Sequence, residues 1–113
     1  MNLKEIIKDF GLAVKTGSDH LDREVSGGYV SDLLSDVLAH ADEGVLWVTL
    51  HIHQNIVAVA AHKDLAGIIL VQGRDPEKET VIKAEEEGIP IMVSDLSAFE
   101  LVGRLYEAGL RGA

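Results

Sequence analysis

The apolar positions of this chain alternate between two spacings, one helical and one extended, and the alternation predicts its elements. Leu3, Ile6, Ile7 and Phe10 recur at i, i+3, i+4 and i+7, one face of a short helix. Asn2 with Glu5 forms a capping box ahead of it, and Gly11 stands at the C′ position behind it. Leu12–Lys15 reads as a short strand and Thr16–Asp19 as a turn. Asp19–Arg23 is polar and loop-like, and Val25–Val30 forms a second strand interrupted by glycine. Ser31 is the expected N-cap of a helix carrying Leu33, Leu34, Val37 and Leu38, with His40 near its end and a stop by Gly44.

Val45–Leu50 is a continuous β-favouring run, the pattern of a strand covered on both faces. Asn55–Ala61 is open to either spacing, but its three alanines favour a helix, capped by Asn55. Ala66–Val71 is the next buried strand. Asp75-Pro76 predicts a helix start, with Pro at the first helical position. That helix runs to about Glu87, with Val81, Ile82 and Ala84 inward, and Gly88 ends it. Ile89–Val93 is a strand. Ser97 with Glu100 makes a second capping box, stapled by Leu96 and Leu101, for a helix through Phe99, Val102, Leu105 and Tyr106 to Gly109. Arg111-Gly112-Ala113 reads as a tail.

Strands alternating with helices predict a three-layer α/β/α sandwich around a mainly parallel sheet of about five strands. Antiparallel pairing by the early strands would make the sheet mixed. At 113 residues, with no internal repeat or linker, one domain spanning 1–113 is expected.

Composition narrows the function classes. There are 19 acidic and 10 basic residues, a net charge of −9, and no Lys/Arg cluster, which argues against nucleic acid as a partner. The chain has no cysteine and therefore no disulfide framework or thiolate zinc site. No apolar run reaches the roughly 18 residues of a membrane span, and no signal-peptide core is evident. A cytoplasmic protein without a membrane partner is expected.

Candidate chemistry collects in two places. In an open parallel sheet, ligands gather beyond the carboxyl ends of the strands. Here that rim supplies Thr49, His51, His53, Gln54, Asn55, Gly73, Arg74, Ser94 and Asp95, able to hydrogen-bond a base, ribose or phosphate. Helix capping alone accounts for Asn55, Asp75 and Ser97. His51 and His53 would face one side of an extended segment, but with only His62 or Asp95 as a conceivable third ligand, no metal site is expected. Neither a Gly-x-Ser-x-Gly elbow nor a phosphate-binding Gly-x-x-x-x-Gly-Lys-Ser/Thr loop is present, so catalysis has no motif to carry it.

The second place is Asp22-Arg23-Glu24-Val25-Ser26-Gly27-Gly28-Tyr29, where paired glycines permit unusual backbone or close approach. This stretch resembles the signature of the DRTGG domain family. The resemblance continues through Tyr29–Asp36, His53–Ala60, Leu65–Ile69, Gly73-Arg74, Ala84–Pro90 and Ser97–Leu101, and covers about Leu12 to Gly109. Glu24-Val25-Ser26 stands where the family signature has a single Thr, so any ligand contact made by that Thr is not carried over.

The resemblance implies the α/β/α fold of the amino-terminal domain of the kinase/phosphorylase acting on the histidine-containing phosphocarrier protein. It also implies a style of function. In longer proteins such domains accompany phosphotransacetylases, or the regulatory CBS domains of certain pyrophosphatases, where they contribute to a dimer interface and are associated with diadenosine polyphosphates. A stand-alone, non-catalytic regulatory module is therefore expected, a homodimer that binds a small ligand such as an adenine nucleotide and acts on a partner enzyme. The alternatives are a pure protein–protein assembly domain and, more remotely, a phosphoryl-transfer or metal-dependent enzyme using His51 and His53. Asp22–Tyr29 is the expected dimer or ligand surface, with Arg23 or Arg74 as the phosphate contact.

Overall fold

The computed structural model describes residues 1–112. The elements follow in the order α1 (Leu3–Phe10), β1 (Ala13–Thr16), β2 (Gly27–Val30), α2 (Leu34–His40), β3 (Val45–Thr49), α3 (Asn55–Lys63), β4 (Gly67–Leu70), α4 (Lys78–Glu87), β5 (Ile91–Val93) and α5 (Ala98–Glu107). One five-stranded sheet runs β1-β5-β4-β3-β2. β2 through β5 are mutually parallel, and β1 alone is antiparallel, against β5. The sheet is thus mixed as expected, but the two early strands lie at opposite edges and do not pair with each other.

Period-two alternation within fully buried strands divides the core in two. Val45 and Trp47 of β3, Ile68 and Leu70 of β4, and Ile91 and Val93 of β5 pack with Val37, Ile56, Val57, Ala60 and Ala84 from α2, α3 and α4. Leu46, Val48, Ile69 and Met92 point the other way, onto Leu3 and Ile6 of α1 and Leu101 and Leu105 of α5. This is the three-layer arrangement that the continuous apolar runs imply.

Several local predictions give way to tertiary contacts. α1 has its full capping box, and Gly11 takes φ +59°. Ser31, however, does not cap α2: its hydroxyl accepts from Leu33 N–H at 3.1 Å, and the helix starts at Leu34. Leu33 and Leu38 remain exposed, leaving Val37 as the buried residue of α2. Asn55 is the first residue of α3, because the His53 ring accepts the Asn55 N–H at 3.1 Å and takes over the capping role. Asp75 pairs with Lys15 at 3.2 Å, and α4 begins only at Lys78. There, the Ile52 carbonyl accepts from both Glu77 N–H at 3.1 Å and the Thr80 hydroxyl at 2.7 Å, holding the helix start against the loop after β3. Ile82 faces solvent.

At α5 only half of the expected capping box forms. Ser97 Oγ accepts from Glu100 N–H at 3.3 Å, but the Glu100 carboxylate turns to Arg104 at 3.2 Å. Phe99 and Tyr106 are exposed. Residues expected to be a tail are ordered against the sheet edge: Gly28 N–H donates to the Arg111 carbonyl at 2.8 Å, and Gly28 and Gly112 form a parallel bridge. Ala113, the rest of that stretch, lies outside the described residues.

Candidate functional site at the carboxyl ends of the strands

The sheet separates residues that the sequence read together. Arg23 lies at the amino ends of the parallel strands. Its Nη1 donates to Asp64 Oδ1 at 2.9 Å, and its Nη2 to the Asp64 carbonyl at 2.7 Å. Asp64 terminates α3 with φ +54°, so the guanidinium satisfies backbone oxygen left over at a helix end. Asp22 is exposed and pairs with Lys4 at 3.6 Å. These two residues border a polar cavity of about 340 Å³ that also includes Asp19, His20 and Glu87. Four acids and one arginine line this cavity; Asp64 holds the arginine, while Asp22 and Glu87 pair with Lys4 and Lys83 at 3.6 Å, so Arg23 is not free to meet an anionic ligand as Arg74 is.

Gly27, Gly28 and Tyr29 form the edge strand β2, and each has an intramolecular role. Gly27 is buried in register with Val45. Gly28 lies under Leu110: a Cβ here would stand 3.3 Å from Leu110 Cδ2. The Tyr29 hydroxyl donates to Asp36 Oδ2 at 2.8 Å and ties β2 to α2. That bond above all, and then its loss of solvent, hold the Tyr29 phenol above its ordinary value.

The opposite end of the sheet carries the candidate site. Asp32, Leu50, His51, Ile52, His53 and Arg74 line an open cavity of about 260 Å³ where β2, β3 and β4 end. β3 stops at Thr49, so His51 and His53 lie on a turn and not on an extended strand as expected. The turn is built by Asp32, whose Oδ1 accepts from the Thr49 hydroxyl and from Leu50 N–H, both at 2.8 Å. His51 Nε2–H donates to the Asp32 carbonyl, which places the ring proton on Nε2. His53 uses Nδ1 as an acceptor for the Asn55 N–H, leaving its proton on Nε2, directed elsewhere. Arg74 donates Nη1 to the Leu50 carbonyl at 2.7 Å while its side chain stays exposed.

Of the predicted rim, the structure therefore gathers His51, His53 and Arg74 in one cavity. Thr49 stands beneath it, buried and spent on Asp32. Ser94 is also buried, with Oγ accepting Leu96 N–H at 3.2 Å, and it shapes a neighbouring turn. Asp95 approaches Gly73, whose φ of +65° completes a tight turn that brings Arg74 back over the rim. Asn55 is outside the cavity lining. Asp32 is the residue that sequence reasoning missed. The signal was present, because an acceptor just past a strand end is suited to bind the neighbouring loop's N–H groups, but Ser31 offered the more familiar capping explanation.

Chemically, the rim offers one guanidinium and two imidazoles around a carboxylate already consumed by structure. Among the described residues no group of three or more His, Cys, Asp or Glu is placed to hold a metal ion. With the His51 Nε2–H spent on Asp32, the free donors to an anion are the remaining N–H groups of Arg74, and the imidazole rings offer flat surfaces beside them. Nor is any helix among the described residues long and apolar enough to cross a membrane.

No protein-family model and no curated protein matches the chain. Among solved structures, it is similar to the CBS and DRTGG domains of the regulatory region of Clostridium perfringens pyrophosphatase, complexed with the activator diadenosine tetraphosphate. The two superpose with a TM-score of 0.70 at 16% sequence identity, over 96% of this chain and 47% of that one. The chain thus spans about half the length of that structure. Likeness at this identity is likeness of fold, and in fold the chain is DRTGG-like.

Proposed function

We propose that this chain is a single-domain, non-catalytic regulatory module. It acts as a homodimer, binds an adenine nucleotide or related phosphate ester at the carboxyl rim, and governs a partner enzyme. The observation that carries the reading is the convergence of Arg74, His51 and His53 on one open cavity. The fold adds support, being shared with a regulatory region whose solved complex holds diadenosine tetraphosphate. Arg74 is the phosphate contact, since its remaining N–H groups can fork onto phosphate oxygens. The cavity is smaller than the roughly 300–1,000 Å³ of pockets that engulf a drug-sized ligand. It therefore takes one phosphate–ribose unit and leaves the rest of the ligand on the surface.

Thermal melting against AMP, ADP, ATP and diadenosine polyphosphates, with and without magnesium, tests this. A ligand at a hundred times its dissociation constant stabilises the fold by about 2.7 kcal/mol. That corresponds to a shift of at least several degrees at roughly 4–8 °C per kcal/mol. Arg74→Ala abolishes the shift and Arg23→Ala preserves it. No response to any nucleotide would leave the second reading, a protein–protein assembly domain, which the exposed Phe99 on α5 favours.

A further inference from the structure

The two histidines of the rim hold their places by opposite chemistry. His51 is a donor, its Nε2–H bonded to the Asp32 carbonyl. His53 is an acceptor, its Nδ1 bonded by the Asn55 N–H at 3.1 Å. A backbone N–H can only donate and a carbonyl can only accept, so neither role can be exchanged. An imidazolium has two N–H donors and no acceptor. An added proton therefore leaves the His51 bond standing and abolishes the His53 bond.

The surroundings of His53 do not hold an imidazolium in that place. α3 has no acidic residue in its first turn, and its N-terminus carries the positive end of the helix dipole. The other charged or titratable groups about the ring are Asp32, His51 and Arg74 from the cavity lining and Glu77 at the start of α4. Asp32, the acid of that lining, already accepts at Oδ1 from the Thr49 hydroxyl and Leu50 N–H.

The release is also local. Glu77 N–H keeps its bond to the Ile52 carbonyl, so the loop stays anchored to α4. Ile56 N–H still donates to the His53 carbonyl at 3.2 Å, and Val57 N–H to the Gln54 carbonyl at 3.0 Å. What comes loose is the ring of His53, which is exposed and has room to turn.

We infer that His53 is a proton-released latch of the carboxyl rim. Without the extra proton it caps α3 and leaves Arg74 as the cation of the cavity. With it, the ring parts from Asn55 and a second cation stands beside Arg74. The protonated rim then admits an anion more readily, and by linkage an anion that binds there takes up a proton. That last step rests on the phosphate-ester reading above, whereas the latch itself does not.

Nuclear magnetic resonance of the whole chain from about pH 8 to about pH 5, the interval in which histidine changes charge, tests the latch. The Asn55 amide proton is expected to move upfield in step with the His53 ring, while the Ile56 and Val57 amides move far less. In His53→Asn, whose side-chain oxygen accepts the same N–H throughout, the Asn55 amide stays still. An Asn55 amide that ignores the His53 ring, or that moves equally in His53→Asn, overturns the inference.

Calorimetry with diadenosine tetraphosphate, in buffers of different ionisation enthalpy, measures the coupling to an anion. Wild type is expected to bind several-fold tighter at about pH 6 than at about pH 8, taking up at most one proton, and His53→Asn to bind without that dependence. Binding by wild type with no proton uptake overturns the coupling. No binding at either pH overturns the phosphate-ester reading, and the Asn55 amide still decides the latch.

Discussion

Arg23 spans Asp64, donating to its carboxylate at 2.9 Å and to its backbone carbonyl at 2.7 Å. The same guanidinium reaches the Leu65 carbonyl at 3.5 Å. The arginine expected as one of two phosphate contacts thus closes a helix end. Arg23→Ala should cost about 1 kcal/mol, because charge-assisted bonds gain more than neutral ones but a part-exposed pair is weakened by solvent. A fall in Tm of several degrees with an unchanged nucleotide response is the expected result. Loss of the nucleotide response with stability intact would return Arg23 to the ligand.

Thr16 should be far more sensitive than its modest size suggests. It is buried at the irregularity between β1 and β5, where its hydroxyl donates to the Ile89 carbonyl at 2.7 Å and accepts Ile91 N–H at 2.9 Å. Thr16→Val keeps the shape and strands both backbone groups, a loss of about 2–4 kcal/mol. Thr16→Ser keeps both bonds and should lose much less. Urea unfolding of the two variants checks this, and equal losses would show that packing, not hydrogen bonding, governs the site.

Gly28→Val tests the glycine doublet. With Asp22–Tyr29 as a dimer or ligand surface, this change would harm association or ligand binding more than stability. Its Cβ would stand 3.3 Å from Leu110 Cδ2, so the branched side chain displaces Leu110 and the bridge to Gly112. Gly28→Ala needs only a small adjustment of the leucine. Hydrogen exchange should accelerate at the Gly28 amide in the valine variant and not in the alanine one. Unchanged protection in both would mean that the carboxyl-terminal segment tolerates the bulk.

Asp36 links stability to pH. The Tyr29 hydroxyl first, then Ser31 and His40, hold its carboxyl below the usual range. Its folded form therefore releases the proton more readily than the unfolded chain, whose Asp titrates near about 3.9. The contribution is complete above that value and disappears as pH falls through the lower folded value. The urea midpoint of Asp36→Ala should accordingly lie below that of wild type at neutral pH and converge on it as pH falls below the usual carboxylate range. A gap that stays constant from neutral to acid pH would assign the loss to packing.

The core was legible because it depends on spacing. Val45–Leu50 and Ala66–Val71 read as doubly covered strands, and within them β3 and β4 are buried on both faces. α1 was legible down to its caps, since Asn2, Glu5 and Gly11 act within a few residues of one another. Helix starts governed by distant partners were not. Asp75 looked like a cap until Lys15 paired with it, and the start of α4 was set by the carbonyl of Ile52, from the loop after β3. The candidate site divides in the same way. That His51, His53 and Arg74 belong to one rim follows from the strand order alone. That Arg23 lies at the other end of the sheet, and that Asp32 builds the turn holding the histidines, depends on where the chain crosses itself. By itself the sequence determined the layers and the order of the elements, and so which rim carries the candidate site, because burial has a period that local residues display. Only the tertiary structure decided which polar groups were already spent on one another, because a hydrogen bond between residues 41 positions apart leaves no mark on either stretch.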